Sequence, residues 1–242
     1  MSQVVGIHPV TALLAEAPER VRVIYVQRGR RDARMSELVS AARSHGVRVE
    51  FADRQWMDGR VDGRHQGVIA DCHDLALADE KELETRWAEF ERPLLILVLD
   101  GITDPRNLGA CLRSANAAGV DAVLLPRRRS APLNEAALKA AAGGAEGLLI
   151  VEVANLARRL EWLQDRGVWV IGADGEGEAA WTAADFRVDC AIVMGSEGEG
   201  MRALTRKLCD QVVRIPMQGT VSSLNVSVAA GILLFEAVRQ RA

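Results

Sequence analysis

The sequence is poor in aromatic residues, and its few cysteines are far apart. Phe, Trp and Tyr make up 4% of the 242 residues, so base stacking on aromatic side chains is not expected to dominate any nucleic-acid binding. The four cysteines, Cys72, Cys111, Cys190 and Cys209, form no CxxC pair. This spacing argues against a zinc site or a disulfide framework and favours a reducing, cytoplasmic location.

Long apolar runs and a strong charge bias are also missing. No apolar run approaches the roughly 18 residues of a membrane span. The N-terminus lacks a basic segment followed by a long apolar one, so no signal peptide is expected. The net charge of −3 gives no overall attraction for polyanions, so any RNA-binding surface must come from local clusters. The four histidines show no ligand spacing, and no metal is expected.

The N-terminal part, residues 1–78, has the pattern of a small α/β unit. Apolar and β-branched runs predict three strands, and two helical patterns lie between or before them. The predicted strands are Val21–Gln27, Val47–Ala52 and Gly67–Cys72, and the predicted helices are Val10–Ala17 and Met35–His45. Residues 79–92 are acidic and poor in apolar side chains, as expected of a connection to a second unit, residues 93–242.

The second unit alternates between strands and helices. The uninterrupted apolar run Leu94–Leu99 is typical of a strand buried on both faces. The repeating pattern after it predicts a parallel sheet covered by helices. Ligands bind such sheets beyond the carboxyl ends of the strands. The loops after Leu99, Leu125, Met194 and Ile215 are therefore the places to expect chemistry.

Two of these loops have distinctive residues. In DGITDPRNLGACLR, Asp104 and Pro105 are typical of a helix start. Gly109 lies one turn before Arg113 on the same helix face, and we interpret it as room for a ligand to approach the guanidinium. The segment MGSEGEGM, residues 194–201, carries three glycines directly after a strand, which favours backbone amides approaching a ligand. It matches neither a dinucleotide fingerprint nor a Walker loop.

The last stretch, residues 215–238, predicts a short strand, a turn and a helix. Ser222, Ser223 and Asn225 crowd the helix start, and three small polar groups are more than one cap needs. A polar helix start beyond a strand can hold a ligand, although a well-capped core helix is the plainer alternative. The predicted apolar face of this helix contains Leu224, Val228, Ile232 and Phe235.

Two arginine clusters follow strands. Arg28, Arg30 and Arg31 lie after the first predicted strand of the N-terminal unit, and Arg127, Arg128 and Arg129 lie at the carboxyl end of a strand in the second unit. Both clusters are candidates for contacting RNA phosphates. The alternative is that they are solvated surface charges.

Three segments together resemble the SpoU/TrmH branch of the SPOUT methyltransferases. They are DGITDPRNLGACLRSA, VMGSEGEGM and IPMQGTVSSLNVSVAAGILLFEAVRQR, which stand in the family's order and spacing. The segment GIHPVTALLAEAPERV is similar to the small N-terminal domain, of ribosomal-protein L30e type, in the family members that act on ribosomal RNA. The resemblance is closest to bacterial members that methylate a guanosine of 23S rRNA at the ribose 2′-oxygen. Ser196 departs from the pattern, which has Ala or Asn there.

The resemblance implies an α/β fold with a C-terminal trefoil knot and an L30e-like N-terminal domain. It implies S-adenosylmethionine as methyl donor, bound by backbone around Gly195, Ile215 and Leu224, with no metal. The catalytic set that it implies is Asn107, Arg113, Glu197, Ser223 and Asn225. The expected partners are 23S rRNA or a large-subunit assembly intermediate, and a second copy of the chain, because homodimers that complete each active site across the interface are the family's habit.

Two alternatives remain open from the sequence. One is a tRNA ribose methyltransferase of the same family, although stand-alone tRNA members resemble only the C-terminal half. The other is an RNA-binding protein without catalysis, against which the full polar set argues.

Overall fold

The computed structural model describes residues 2–30, 32–61, 64–73, 75–90, 93–198 and 200–242, which form two sheets with their helices. The N-terminal unit has a four-stranded mixed sheet in the order β1-β4-β2-β3. Its elements are β1 (Ser2–Val5), α1 (Ile7–Glu16), β2 (Val21–Gln27), α2 (Ala33–Ser44), β3 (Arg48–Ala52), α3 (Arg54–Asp58) and β4 (Val68–Cys72). Strand β4 runs antiparallel to β1 and β2, whereas β2 and β3 are parallel.

The second unit is built on a larger sheet. Its elements are α4 (Glu80–Arg86), β5 (Leu95–Asp100), α5 (Pro105–Ala117), β6 (Ala122–Pro126), α6 (Glu135–Ala141), β7 (Leu149–Val153), α7 (Leu156–Gln164), β8 (Trp169–Ala173), β9 (Ala179–Ala180), β10 (Cys190–Gly195), α8 (Ala203–Lys207), β11 (Gln211–Arg214) and α9 (Val226–Arg241). The order of this seven-stranded sheet is β7-β6-β5-β10-β8-β11-β9, and the recorded pairings are parallel.

Helices cover both faces of the large sheet, as its apolar strands predict. Residues of α5, α6 and α9 pack into one core cluster, and residues of α4 and α7 pack into the other. The central strand β5 contributes to both, because successive side chains point to opposite faces. Burial on both sides explains the uninterrupted apolar run from which this strand is predicted.

Residues 79–90 of the acidic connection, which the structure describes, lie against the second unit. Arg159 of α7 forms ion pairs with Glu80 and Glu84 at 2.9 and 3.0 Å. Just before α4, Ala78 exchanges backbone hydrogen bonds with the edge strand β7. The acidic side chains therefore fix α4 to α7, and Ala78 already belongs to the large sheet.

A buried ion pair joins the two units. Arg20, which precedes β2, contacts Glu146 at 3.1 Å, and their side chains are only 9% and 3% exposed. The same guanidinium donates to the carbonyl of His73. Removing one partner would leave a buried charge without its counter-ion, which is strongly destabilising.

The orientation of α9 corrects the predicted apolar face. Val226, Ala230, Leu233, Leu234 and Ala237 face the core. Val228 and Phe235, which were predicted to share an apolar face with Ile232, are each 51% exposed. The prediction was wrong because this helix is apolar on nearly every side, so periodicity does not identify its buried face.

Gly109 also has a different role from the one predicted. Helix α6 packs against it, and a Cβ there would lie 2.7 Å from the Ala140 Cβ and closer still to the Ala137 carbonyl. The space beside this glycine is filled by a neighbouring helix and is not free for a ligand.

We expect Gly109→Ala to lower the free energy of unfolding by about 1–3 kcal/mol, because the added methyl forces α5 and α6 apart. Denaturant unfolding measures this. Gly231→Ala in α9, where the nearest atom is Ser114 Oγ at 3.7 Å, is the matched helical control. It is expected to be neutral or stabilising. A Gly109→Ala variant as stable as the parent protein would contradict this packing.

The cysteines are free thiols. Burial raises the pKa of Cys72 and Cys190 to about 11 and that of Cys111 to about 12. These thiols stay protonated near neutral pH and do not act as nucleophiles. Within the described ranges, no helix is long and apolar enough to cross a membrane, and no three His, Cys, Asp or Glu side chains are grouped to hold a metal ion.

Candidate active site

The site lies where the carboxyl ends of β5 and β10 meet. These strands are parallel neighbours, and Gly195 pairs with Asp100 in their register. The loop that leads into α5 therefore lies beside the glycine-rich loop that follows β10. The sequence predicted chemistry in each loop, and the sheet order brings the two together.

A buried carboxylate holds the second loop in place. Asp100 is 1% exposed. It accepts hydrogen bonds from the Arg202 backbone amide at 3.2 Å and from Arg202 Nε at 2.6 Å. The loop between β10 and α8 is thus fastened to the end of β5. Asp100 and Arg202 were not predicted as a pair, although a carboxylate directly after an apolar strand was a usable signal.

The glycine-rich loop folds back on β10. Ser196 and Gly200 exchange backbone hydrogen bonds of 3.0 Å each. A Cβ on Gly195 would lie 2.7 Å from the Gly200 carbonyl oxygen and closer still to the Met201 amide. Only glycine allows this close approach.

Three of the predicted catalytic side chains form one hydrogen-bonded group. Glu197 Oε1 accepts from Asn107 Nδ2 at 2.7 Å and from Asn225 Nδ2 at 2.9 Å. Asn225 Nδ2 also donates to Asn107 Oδ1 at 3.0 Å. Residues from three distant parts of the chain are thereby joined.

Asn225 has a fixed orientation in this group. Its Oδ1 accepts from the Ser227 amide at 2.9 Å, which caps the start of α9. A backbone N–H can only donate, so Oδ1 must face α9 and Nδ2 must face Glu197. The same side chain therefore caps a helix and positions the polar group.

A cavity of about 1230 Å³ opens beside this group. Its lining contains the three residues expected to hold the cofactor, Gly195, Ile215 and Leu224, together with Ser223. Asp174 and Arg206 also line it and form an ion pair of 2.8 Å. Neither was predicted from the sequence, because the loop after β8 and the helix α8 carry no recognisable motif.

Arg113 lies apart from the polar group within one chain. It is six residues after Asn107 in α5, a rise of about 9 Å. Its side chain is exposed, and among the described residues it makes no recorded hydrogen bond or ion pair. The structure therefore brings together Asn107, Glu197 and Asn225, and it leaves the Arg113 guanidinium available at the surface.

The three arginines of the second unit, Arg127, Arg128 and Arg129, have different surroundings. Arg127 pairs with Glu152 at 2.8 Å, Arg128 is exposed, and Arg129 lines the cavity. Arg129 has a φ of 61°, a left-handed conformation that costs energy in a residue with a Cβ. Of these three, Arg129 is the residue placed to contact a ligand in the cavity.

In the arginine cluster of the N-terminal unit, Arg28 and Arg30 contact acidic side chains and backbone carbonyls. Arg28 lies 3.8 Å from Asp53, and both side chains are largely exposed. Arg30 donates to Asp32 at 2.6 Å and also to the Gln66 carbonyl. The hydrogen bond from Arg30 lowers the pKa of Asp32. Arg31, the third residue predicted here, lies outside the described residues.

The composition of the cavity fits S-adenosylmethionine. Ile215, Leu224 and Leu233 offer an apolar floor for an adenine ring, and the backbone at Gly195 can approach a ligand closely. The carboxylate of Glu176 complements the ammonium and sulfonium charges of such a donor, whereas Asp174 is already paired with Arg206.

Comparison with known proteins identifies both units. The SpoU rRNA Methylase family matches residues 94–235, and the RNA 2′-O ribose methyltransferase substrate-binding family matches residues 3–78. The chain is 51% identical to the 23S rRNA (guanosine-2′-O-)-methyltransferase RlmB of Photorhabdus laumondii, covering 100% of this chain and 99% of the relative. It is 50% identical to the same enzyme of Escherichia coli K12, covering 100% of both chains.

Solved structures share the fold. The SpoU methyltransferase AviRb of Streptomyces viridochromogenes, crystallised with AdoMet, superposes with a TM-score of 0.80 at 24% identity. The match covers 99% of this chain and 90% of AviRb. The matched family covers more than half of the sequence, and the parallel sheet has the fold of a solved member. The chain therefore belongs to the SpoU rRNA methylase family.

Proposed function

We propose that this protein transfers the methyl group of S-adenosylmethionine to the ribose 2′-oxygen of a guanosine in 23S rRNA. The observation that carries the proposal is the hydrogen-bonded group of Asn107, Glu197 and Asn225 beside the cavity at the end of β10. Relatives with half-identical sequences over the whole chain are named as enzymes of this reaction, which also argues against the tRNA alternative.

The cofactor supplies a methyl group on a positively charged sulfur, which is transferred without a metal. Gly195, Ile215 and Leu224, which line the cavity, would hold it through backbone and apolar contacts. Asp100 fixes the position of the glycine-rich loop through its hydrogen bonds with Arg202. The 2′-oxygen would form a bond to the methyl carbon as the sulfur–carbon bond breaks, and the hydroxyl proton would pass to water. The protein's main contribution would be to orient the oxygen in line with the methyl.

The polar group positions the nucleotide. Glu197 holds the two asparagine amides, and Ser223, which is exposed at the cavity, is free to contact ribose or phosphate. Because Asn225 also caps α9, its amide cannot rotate without losing that cap. Positioning of this kind supplies several kcal/mol of a reaction barrier.

Arg113 is proposed to stabilise the negative charge that develops on the 2′-oxygen and to anchor the adjacent phosphate. A guanidinium keeps its proton in proteins and is a poor base. It is, however, a strong electrostatic partner for an oxyanion. Since Arg113 lies apart from its own chain's polar group, we propose that a second subunit completes the site.

Homodimerisation is supported by an exposed apolar surface. Val228, Ile232 and Phe235 lie on one face of α9, and the first and last are each 51% exposed. Helix α9 packs on α5, which carries Arg113, with Gly231 facing Ser114. A twofold contact through this face would bury these side chains and set Arg113 near an interface.

We expect Phe235→Glu to convert the dimer into monomers and to lower methyl transfer at least tenfold, because a charge would be buried at the contact. Analytical ultracentrifugation measures the assembly. Leu204→Glu, on α8 on the other side of the sheet, is the matched control, since Leu204 is 59% exposed. A wild-type protein that sediments as a monomer would contradict the proposed dimer.

We further propose the knot and the division into domains. Residues 196–198 and 200–202 border the cavity, as do several residues of the segment 215–224. Helix α9 then returns across the sheet and places Arg241 against the carbonyls of Leu94 and Val188. This path supports a C-terminal segment threaded through the preceding loop as a trefoil knot. Two separate sheets support an L30e-like RNA-binding domain at 1–78, a connection at 79–92 and a methyltransferase domain at 93–242.

The substrate is tested in cells. Ribosomal RNA from a strain lacking this protein is digested and compared with that of the parent strain by mass spectrometry. We expect one 2′-O-methylguanosine to disappear from 23S rRNA, consistent with a cytoplasmic enzyme acting on that RNA or on a large-subunit assembly intermediate. An unchanged set of 23S modifications would reject the proposal.

A further inference from the structure

The aromatic residues of the N-terminal unit lie on its surface. Residues 1–78 contain Tyr25, Phe51 and Trp56, and the buried core cluster of this unit is aliphatic and contains none of them. Trp56 is 44% exposed. Trp56 therefore contributes little to the core of this unit, and much of its ring is accessible to a ligand.

The Trp56 ring is held in place from one side. Its centroid lies 4.7 Å from that of Tyr25 on β2, with an angle of 49° between the rings. The Arg60 guanidinium carbon lies 5.0 Å from the Trp56 ring and 5.2 Å from the Tyr25 ring. Arg60 is in turn ion-paired with Asp71 on β4. Met57, which is fully buried, anchors the short helix that carries Trp56.

Tyr25, Trp56 and Arg60 form an aromatic platform. Arginines in exposed ion pairs lie next to it. Arg54 pairs with Asp58 at 3.6 Å and Arg28 with Asp53 at 3.8 Å, and these four side chains are between 53% and 75% exposed. Exposed ion pairs of this kind contribute little stability, so the guanidinium groups can exchange their carboxylates for phosphates.

Charge alone gives this unit little affinity for RNA. Arginines and acidic residues nearly balance across residues 1–78, and attraction to phosphates grows with the number neutralised. Stacking supplies an attraction that does not need net charge, because every base has a π-face.

We propose that Trp56, supported by Tyr25 and Arg60, stacks on an unpaired base of the RNA substrate at a distance from the methyl-transfer site. The inference rests on the proposed function in rRNA methylation and assigns a binding role to residues outside the cavity. The small number of aromatic residues in the chain argues against extensive base stacking. It is compatible with a single stacking site. The ligand is a base exposed in a loop or bulge, which is the form in which RNA presents bases to proteins.

The test measures RNA affinity and kinetics of Trp56→Ala with a 23S rRNA transcript. The dissociation constant is expected to rise about tenfold, since losing one stacked base removes about that much affinity. KM for RNA should rise with kcat unchanged, because Trp56 lies outside the cavity. Trp56→Phe should retain affinity within about threefold while losing part of the tryptophan quenching that RNA causes in the parent protein.

The control is Trp169→Ala. Trp169 is 45% exposed at the start of β8, at the opposite end of the large sheet's strands from the cavity, and its loss should leave RNA affinity unchanged. Circular dichroism confirms folding of each variant. A Trp56→Ala variant that binds RNA within twofold of the parent, or that loses kcat at constant KM, overturns the stacking role alone. A parent protein that does not bind 23S rRNA overturns both this inference and the proposed function.

Discussion

Arg113→Ala is expected to reduce methyl transfer by at least about 100-fold while cofactor binding changes little. Removing one preorganised donor to a developing oxyanion typically costs about 10²–10³ in rate. The side chain is exposed and makes no recorded polar contact within the described residues, so its loss should not disturb the fold. Single-turnover methylation of 23S rRNA measures the chemical step, and calorimetry with S-adenosylmethionine measures cofactor binding.

Arg158→Ala is the matched control for this variant. Arg158 is an exposed arginine on α7, which covers the opposite face of the sheet from α5. Its loss should leave the single-turnover rate unchanged. An Arg113→Ala enzyme that turns over at the parent rate would show that this guanidinium has no part in the reaction.

Gly195→Ala is expected to abolish cofactor binding in calorimetry. The new Cβ would lie 2.7 Å from the Gly200 carbonyl oxygen and closer still to the Met201 amide. Both obstacles are backbone, so the glycine-rich loop must move away from β10. That movement would also strain the contact between Asp100 and Arg202 and displace Glu197 from the two asparagines.

Gly219→Ala serves as the control for the glycine substitution. Gly219 lies in the segment after β11, and no atom comes within 4 Å of a Cβ placed there. This variant should bind S-adenosylmethionine as the parent does. Undiminished binding by Gly195→Ala would mean that the cofactor does not bind against Gly195.

Much of the fold was predictable because the strands of a parallel sheet are apolar runs. The segments between them have the hydrophobic periodicity of helices. Val21–Gln27 was predicted with the observed bounds of β2, and Asp104 caps α5 as expected, accepting from the Arg106 amide at 2.8 Å. Short elements were missed. Helix α3 has only five residues and little pattern, and β1 has four residues at the chain start.

The loops that form the candidate site were predictable, but the contacts between their side chains were not. Sequence spacing places Asn107, Glu197 and Asn225 in three separate segments, and only the neighbouring positions of β5 and β10 bring the first two together. Gly109 and the apolar face of α9 were misinterpreted, because both depend on which helices pack against them. Contacts between distant elements are not encoded in local periodicity.

The most direct test combines the purified protein, a 23S rRNA transcript and S-adenosylmethionine with a deuterated methyl group. After digestion to nucleosides, mass spectrometry locates the label. We predict about one labelled 2′-O-methylguanosine per transcript and no other labelled nucleoside. Absence of transferred label, or label on a base or on a different nucleoside, would contradict ribose methylation of a guanosine by this site.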